Sequence, residues 1–266
     1  MATKTPTEVI ENALNAGTNK VKLRSASFNR FILLTVLAGI YIAFGGILSL
    51  TLGYGFPEIT ASNPGLQKLL SGAAFPIGLI LVVVLGAELF TGNNALLMPP
   101  LLTRKCSIAD VLVNWTLVWI GNFMGALLFV YFMVYLTGLT APEPYHSAII
   151  NIANAKVSMP WATVLLKGIG ANWCVCLAIW LAMSAKSSGA KMFGCWFPVM
   201  AFVALGYEHS IANMFFIPCG ILEGADISTW EMVWRNLIPA TLGNIIGGAV
   251  FVGCVHSYLY LNKRPK

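Results

Sequence analysis

Apolar residues gather into six long runs, at about 31–52, 70–98, 110–138, 160–184, 192–220 and 235–261, parted by short joints carrying charge, glycine and proline. Each run reaches the roughly 20 residues a helix needs to cross hydrocarbon. None shows the ten-residue alternation of a transmembrane barrel strand. Without water, backbone groups must pair inside their own segment, so all six are expected to be helices. Ahead of them, Thr5-Pro6-Thr7-Glu8 has the form of a helix start, with Thr5 as N-cap and Glu8 closing a capping box. Val9, Ile10, Ala13, Leu14 and Val21 then recur at helical spacing beside Lys20, Lys22 and Arg24, which predicts an amphipathic helix lying on the inner membrane surface over 1–28. The six-span domain then covers 29–261, with inverted repeats at about 29–138 and 160–261, and a cytoplasmic tail covers 262–266.

The second and fifth runs are interrupted. One reads GAELFTGN from Gly86, the other GYEHSIAN from Gly206, both of the form G-x-E-x4-N. The following runs match as well, GNFMGALLFV from Gly121 against GNIIGGAVFV from Gly243. The offsets, 206 − 86 = 120 and 243 − 121 = 122, nearly agree, so spans 1–3 are read as repeated in spans 4–6. Three crossings per copy reverse the second copy in the membrane. Paired, glycine-interrupted segments at matching places in such inverted halves point to a transport site at mid-membrane.

Composition supports this reading. The chain is 58% hydrophobic and 10% charged, where a soluble domain carries about 25% charge. The net charge of +6 follows topology: Lys4, Lys20, Lys22, Arg24, Arg30, Arg104, Lys105, Lys186, Lys191, Lys263, Arg264 and Lys266 fall on one side. Lys68, Lys156 and Arg235 are left for the other. The positive-inside rule places both termini in the cytoplasm of a cell membrane, and nucleic acid is not expected as a partner. The six cysteines lack metal-ligand or paired-disulfide spacing. No cofactor, metal or enzymatic motif is read: a phosphate loop, a G-x-S-x-G elbow and H-E-x-x-H are all missing, and a haem subunit would need paired histidines within the bundle. The first 30 residues show no signal-peptide pattern.

The polar groups inside the runs are the candidates. A carboxylate at a helix break can accept orphan N–H bonds of the second half-helix and favour its positive end, a role expected for Glu88 and Glu208, with Asn93 and Asn213 serving the same loops. His209 matches Leu89 in the other copy, so helix repair does not require it. Irregular backbone at membrane depth lines a cavity or is buried in protein, which makes His209 the pore candidate. Burial there favours the neutral ring. Thr91 on the opposite loop and Asn172 in span four are further candidates. Lys156 and Lys167 could concentrate anions, although Lys167 could equally snorkel.

GAELFTGN, GYEHSIANM, ANWCVCLAIW and LIPATLGNIIGG together resemble the formate/nitrite transporter family over essentially the whole chain. The resemblance implies an all-α, aquaporin-like protomer of six helices with helices 2 and 5 interrupted, assembled as a homopentamer in lipid with one pore per protomer. It implies an inner constriction of Leu89, Phe90 and Thr91 with Leu79 and Val175 nearby, and an outer one of Phe75 and Phe202. His209 would lie between them within reach of Thr91 and Asn172, and Lys156 would draw anions to the outer vestibule. The implied substrate is a small monovalent anion moving with a proton, formate before nitrite or hydrosulfide. Readings from other classes are a neutral-solute pore for water or ammonia, and a structural membrane subunit.

Overall fold

The computed structural model describes residues 3–261, and the predicted tail at 262–266 lies outside them. Among the described residues every regular element is helical, as long apolar runs without aqueous partners require. The helices are α1 (Pro6–Ala26), α2 (Phe28–Tyr54), α3 (Pro57–Ser62), α4 (Pro64–Ala74), α5 (Ile77–Leu85), α6 (Phe90–Leu96), α7 (Met98–Leu102) and α8 (Ile108–Phe129). A π-helical stretch, Val130–Tyr135, ends this half. The second half has α9 (Tyr145–Ser158), α10 (Trp161–Ser184), α11 (Ser188–Ala204), α12 (Ser210–Leu222), α13 (Thr229–Glu231), α14 (Ile238–Ile245) and α15 (Val255–Tyr260), with π-helical turns at Met232–Leu237 and Ile246–Cys254.

Among the described residues five stretches are long and apolar enough to cross a bilayer: Phe28–Tyr54, Pro64–Leu85, Ile108–Tyr135, Trp161–Ser184 and Thr229–Tyr260. The run at 192–220, expected to be interrupted, is two helices of 17 and 13 residues, α11 and α12. At 1.5 Å per residue neither reaches across about 30 Å of hydrocarbon. The run expected at 70–98 likewise stops at Leu85 and restarts at Phe90. Each first segment closes on a glycine with a left-handed backbone, Gly86 at φ +78° and Gly206 at φ +69°. A side chain with Cβ is strained in that conformation, which explains the glycine that opens both G-x-E motifs.

Close helix contact explains the glycines of the second motif pair. α2 packs on α8 so tightly that a Cβ on Gly121 would collide with the Thr35 hydroxyl, and one on Gly125 with the Val36 carbonyl. α10 packs on α14 and the π-helical turns after it in the same way, with Gly243 against the Leu165 carbonyl and Gly247 against that of Ile169. Small residues permit this approach where lipid provides no hydrophobic drive between helices.

α1 differs from its expected place. Thr5 and Glu8 make both halves of the capping box, and the Thr5 N–H holds the Glu8 carboxyl below the usual carboxylate range. The apolar face, Val9, Ile10, Ala13 and Gly17, is buried within the protein instead of being presented to lipid. Gly17 abuts the Leu96 carbonyl, and the Lys4 N–H donates to the Ser184 carbonyl at 2.9 Å. An amphipathic pattern states that one face is covered, but not whether protein or lipid covers it.

Candidate functional site

Both breaks are held by the same set of side chains. In the first, the Glu88 carboxylate accepts from Lys20 Nζ at 2.8 Å and from Asn93 Nδ2 at 2.8 Å, and Asn93 Nδ2 also donates to Asn114 Oδ1 at 3.0 Å. In the second, Glu208 accepts from Lys156 Nζ at 2.9 Å and from Asn213 Nδ2 at 2.7 Å, and Asn213 Nδ2 donates to Asn236 Oδ1 at 2.6 Å. The Glu88 N–H donates to the Leu34 carbonyl at 3.1 Å, and that of Glu208 to the Lys167 carbonyl at 3.3 Å. The glutamates, asparagines and the Thr91–His209 pair are all buried.

The glutamates therefore do not take the role expected for them. Their carboxylates bind lysine and asparagine side chains, not the free N–H groups of the second half-helix. That work falls to two asparagines of the G-N-x-x-G motifs. Asn122 Oδ1 accepts from the Phe90 N–H at 2.9 Å while its Nδ2 donates to the Thr35 and Glu88 carbonyls at 2.7 and 2.9 Å. Asn244 Oδ1 accepts from the Ser210 N–H at 2.8 Å while its Nδ2 donates to the Gly168 and Glu208 carbonyls at 2.8 and 3.0 Å. In the sequence these motifs mark repetition and, for the second, family resemblance, with no role assigned to either asparagine. Asparagines recurring at 122 and 244 inside apolar helices were the signal for more, since a buried amide demands partners.

The two loops touch at Thr91 and His209, whose Oγ1 and Nε2 atoms lie 3.0 Å apart. His209 is also the N-cap of α12, with Nδ1 accepting from the Ala212 N–H at 3.0 Å. That bond needs a lone pair on Nδ1, so in the neutral ring the proton sits on Nε2 and is donated to the Thr91 hydroxyl. Asn172 does not reach the imidazole. Its Nδ2 donates to the carbonyls of Thr91 at 3.1 Å and Asn244 at 2.6 Å and to Asn94 Oδ1 at 3.0 Å, fixing the backbone of Thr91 from behind.

A cavity of about 270 Å³ opens on one side of the pair, lined by Lys156, Lys68, Phe75, Phe202, Glu208 and His209 among others. The Phe202 ring stacks on the His209 ring at 5.7 Å between centroids and meets Phe75 edge-on at 5.8 Å. A second cavity of about 160 Å³ lies against the other break, lined by Lys20, Val82, Leu89, Asn93 and Ile179 among others. Leu79, Leu89 and Val175 share one buried apolar cluster. Phe90 belongs to the same cluster, and its ring also packs edge-on to Trp115 at 6.4 Å and lines a lateral groove between α8 and α14. Lys167 does not line the His209 cavity, and its ammonium lies 3.6 Å from Met159 Sδ. Lys20, which the sequence placed on a surface helix, reaches the second cavity instead. Among the described residues no group of three His, Cys, Asp or Glu side chains is placed to hold a metal.

Apolar helices that stop inside the bundle, with a buried polar contact where the two stops meet, are the construction of a membrane transport protein. Comparison with known proteins gives the family. The formate/nitrite transporter profile matches residues 7–258, and the chain belongs to that family. It is 38% identical over 264 residues to the formate channel BtFdhC of Bacillus thuringiensis, covering 99% of this chain and 98% of that one. It is 43% identical over 263 residues to the uncharacterized transporter YrhG of Bacillus subtilis, covering 99% and 96%. Among solved structures, one described as an FNT family ion channel superposes with a TM-score of 0.88 at 30% identity, covering 95% of this chain and 99% of that one. A pentameric formate channel with formate bound gives 0.78 at 32% identity, covering 90% and 99%. The relatives are channels and transporters, and this chain is a membrane-embedded member of the same group.

Proposed function

We propose that this chain conducts a small monovalent anion, formate first, with proton movement linked to His209. The observation carrying this reading is the buried His209–Thr91 pair, with one cavity lined by His209 itself and another by Leu89 and Gly92, the neighbours of Thr91 in the opposite loop. The chain crosses the cell membrane six times as two inverted halves, with both termini cytoplasmic, and five copies assemble with one pore each. Lys156 and Lys68 line the outer vestibule and favour an anion there. The Glu208 carboxylate at 2.9 Å moderates the field of Lys156, so the steering is weaker than that of a lone ammonium. Past Phe75 and Phe202 the low dielectric disfavours charge and raises the pKa of a carboxylic acid, from an aqueous value near that of Asp, about 3.9. Formate takes up a proton that enters with it from the outer solution and passes Leu89, Leu79 and Val175 as formic acid, while His209 keeps its own proton and acts by hydrogen bonding. His209 offers one N–H, from Nε2, and Thr91 supplies the adjoining hydroxyl.

The sign of the pH effect follows: external acid raises the protonated fraction and speeds uptake. Flux of labelled formate into proteoliposomes at two pH values tests it, with His209→Phe expected to remove the pH dependence. An unchanged profile in that variant would reject proton linkage. The GAELFT loop and the K-G-x-x-x-N-W stretch of α10 resemble those of nitrite channels, which makes nitrite the second reading, and competition among formate, nitrite and acetate separates the two. Passage of water or ammonia without any response to these anions would support a neutral-solute pore.

A further inference from the structure

We infer that Asn244 is the positioning residue for His209, and that its counterpart Asn122 does the same mechanical work for Leu89 without any share in proton linkage. The inference rests on the pore reading given above. A three-residue segment at a helix break has no helical partner for its backbone, so its direction must be fixed from outside. Asn244 grips the His209 segment on both flanks with one amide. Its Nδ2 holds the Glu208 carbonyl at 3.0 Å and its Oδ1 holds the Ser210 N–H at 2.8 Å. The same Nδ2 is tied to α10 through the Gly168 carbonyl at 2.8 Å. The carbonyl of Asn244 accepts from Asn172 Nδ2 at 2.6 Å, and that Nδ2 also holds the Thr91 carbonyl at 3.1 Å. One residue of α14 is thus bonded to the flanks of His209 and, through a single amide, to the backbone of its partner Thr91.

This grip also bears on the imidazole. With Ser210 fixed as the first residue of α12, the Ala212 N–H arrives at His209 Nδ1 at 3.0 Å, which keeps the ring proton on Nε2 and facing Thr91. Asn122 holds the Glu88 carbonyl and the Phe90 N–H in the same way, but the residue between them, Leu89, does not titrate. Equal damage to the two amides must then have unequal effects on proton linkage and similar effects on packing.

Two measurements on the purified full-length protein test this. Formate uptake into proteoliposomes is recorded against external pH for wild type, Asn244→Asp, Asn244→Ser, Asn122→Asp and His209→Phe. Nitrogen-15 histidine spectra of the same samples report the tautomer of His209, assigned by its disappearance in His209→Phe. Asn244→Asp keeps the acceptor and loses both donors, as Asn122→Asp does at the other break. The expected result is that the Asn244 variants lose roughly ten- to a hundredfold of the acid-stimulated uptake, the scale on which small misplacements act, and show mixed tautomers. Asn122→Asp is expected to lower flux by one factor at all pH values and to keep the Nε2–H tautomer. The inference is overturned if the Asn244 variants keep the wild-type tautomer, if both asparagines alter the profile alike, or if no Asn244 variant folds while Asn122→Asp does. If His209→Phe keeps its pH dependence, the pore reading fails, and the tautomer result alone then decides the role of Asn244.

Discussion

The two breaks share their supports and differ in what they support. Lysine, glutamate and two asparagines recur around each, from Lys20, Glu88, Asn93 and Asn114 to Lys156, Glu208, Asn213 and Asn236. A capping asparagine follows, Asn122 or Asn244. The residue held between them is a leucine in one half and a histidine in the other. What recurs is the cost of stopping a helix within a bundle: orphan backbone groups and the charges brought in to satisfy them. What differs goes beyond that demand: His209 also caps the Ala212 N–H, but the other break closes with Leu89 and no such cap, so chemistry is to be sought at the histidine.

The strongest way to break the comparison is to leave a charge stranded. Glu208→Leu exposes Lys156 to a buried site without its partner and should cost about 3–5 kcal/mol of stability, read as a fall in thermal midpoint of the purified protein. The double variant Lys156→Met/Glu208→Leu should recover most of this. If Glu88→Leu, facing Lys20, proved neutral by the same measurement, the two constellations would not be equivalent. Crowding comes next. Gly243→Ala and Gly121→Ala place a methyl against the Leu165 carbonyl and the Thr35 hydroxyl and should each cost about 1–3 kcal/mol. Matching losses would show that the two interfaces are built alike, and a loss at only one would separate them. Lys167→Met is expected to have the smallest effect. Its ammonium meets only Met159 Sδ, so formate flux should change by less than about twofold, a shift within about 0.5 kcal/mol. A larger drop would return Lys167 to the anion path.

The sequence shows these elements unevenly. The breaks at Gly86 and Gly206 are plain, because glycine and glutamate inside an apolar run contradict a continuous helix. His209 stands out because its counterpart is Leu89. Thr91 and Asn172 stand out as polar residues within apolar runs, but the bonds of Asn172 to the Thr91 and Asn244 carbonyls are not visible in the chain. Nor is the capping by Asn122 and Asn244, since their partners lie 32 and 34 residues away. The glutamates are assigned to helix ends from local rules, and those rules cannot reveal that Lys20, 68 residues from Glu88, claims the carboxylate first. Phe90 is placed in a constriction by the family resemblance, and that its ring also meets Trp115 from the first turn of α6 is visible only in the fold.

By itself the sequence determined the class of molecule, the positions at which its helices stop and the single histidine that symmetry leaves unexplained. Each of these follows from composition and spacing along one chain, where hydrocarbon thickness and backbone satisfaction act locally. Only the tertiary structure decided which group satisfies which. It took the docking of α1 to bring Lys20 to Glu88, and the contact of α10 with α14 to place Asn244 around His209. Buried polar groups bind whatever partner the packing brings within about 3 Å, and that partner is set by the arrangement of distant helices.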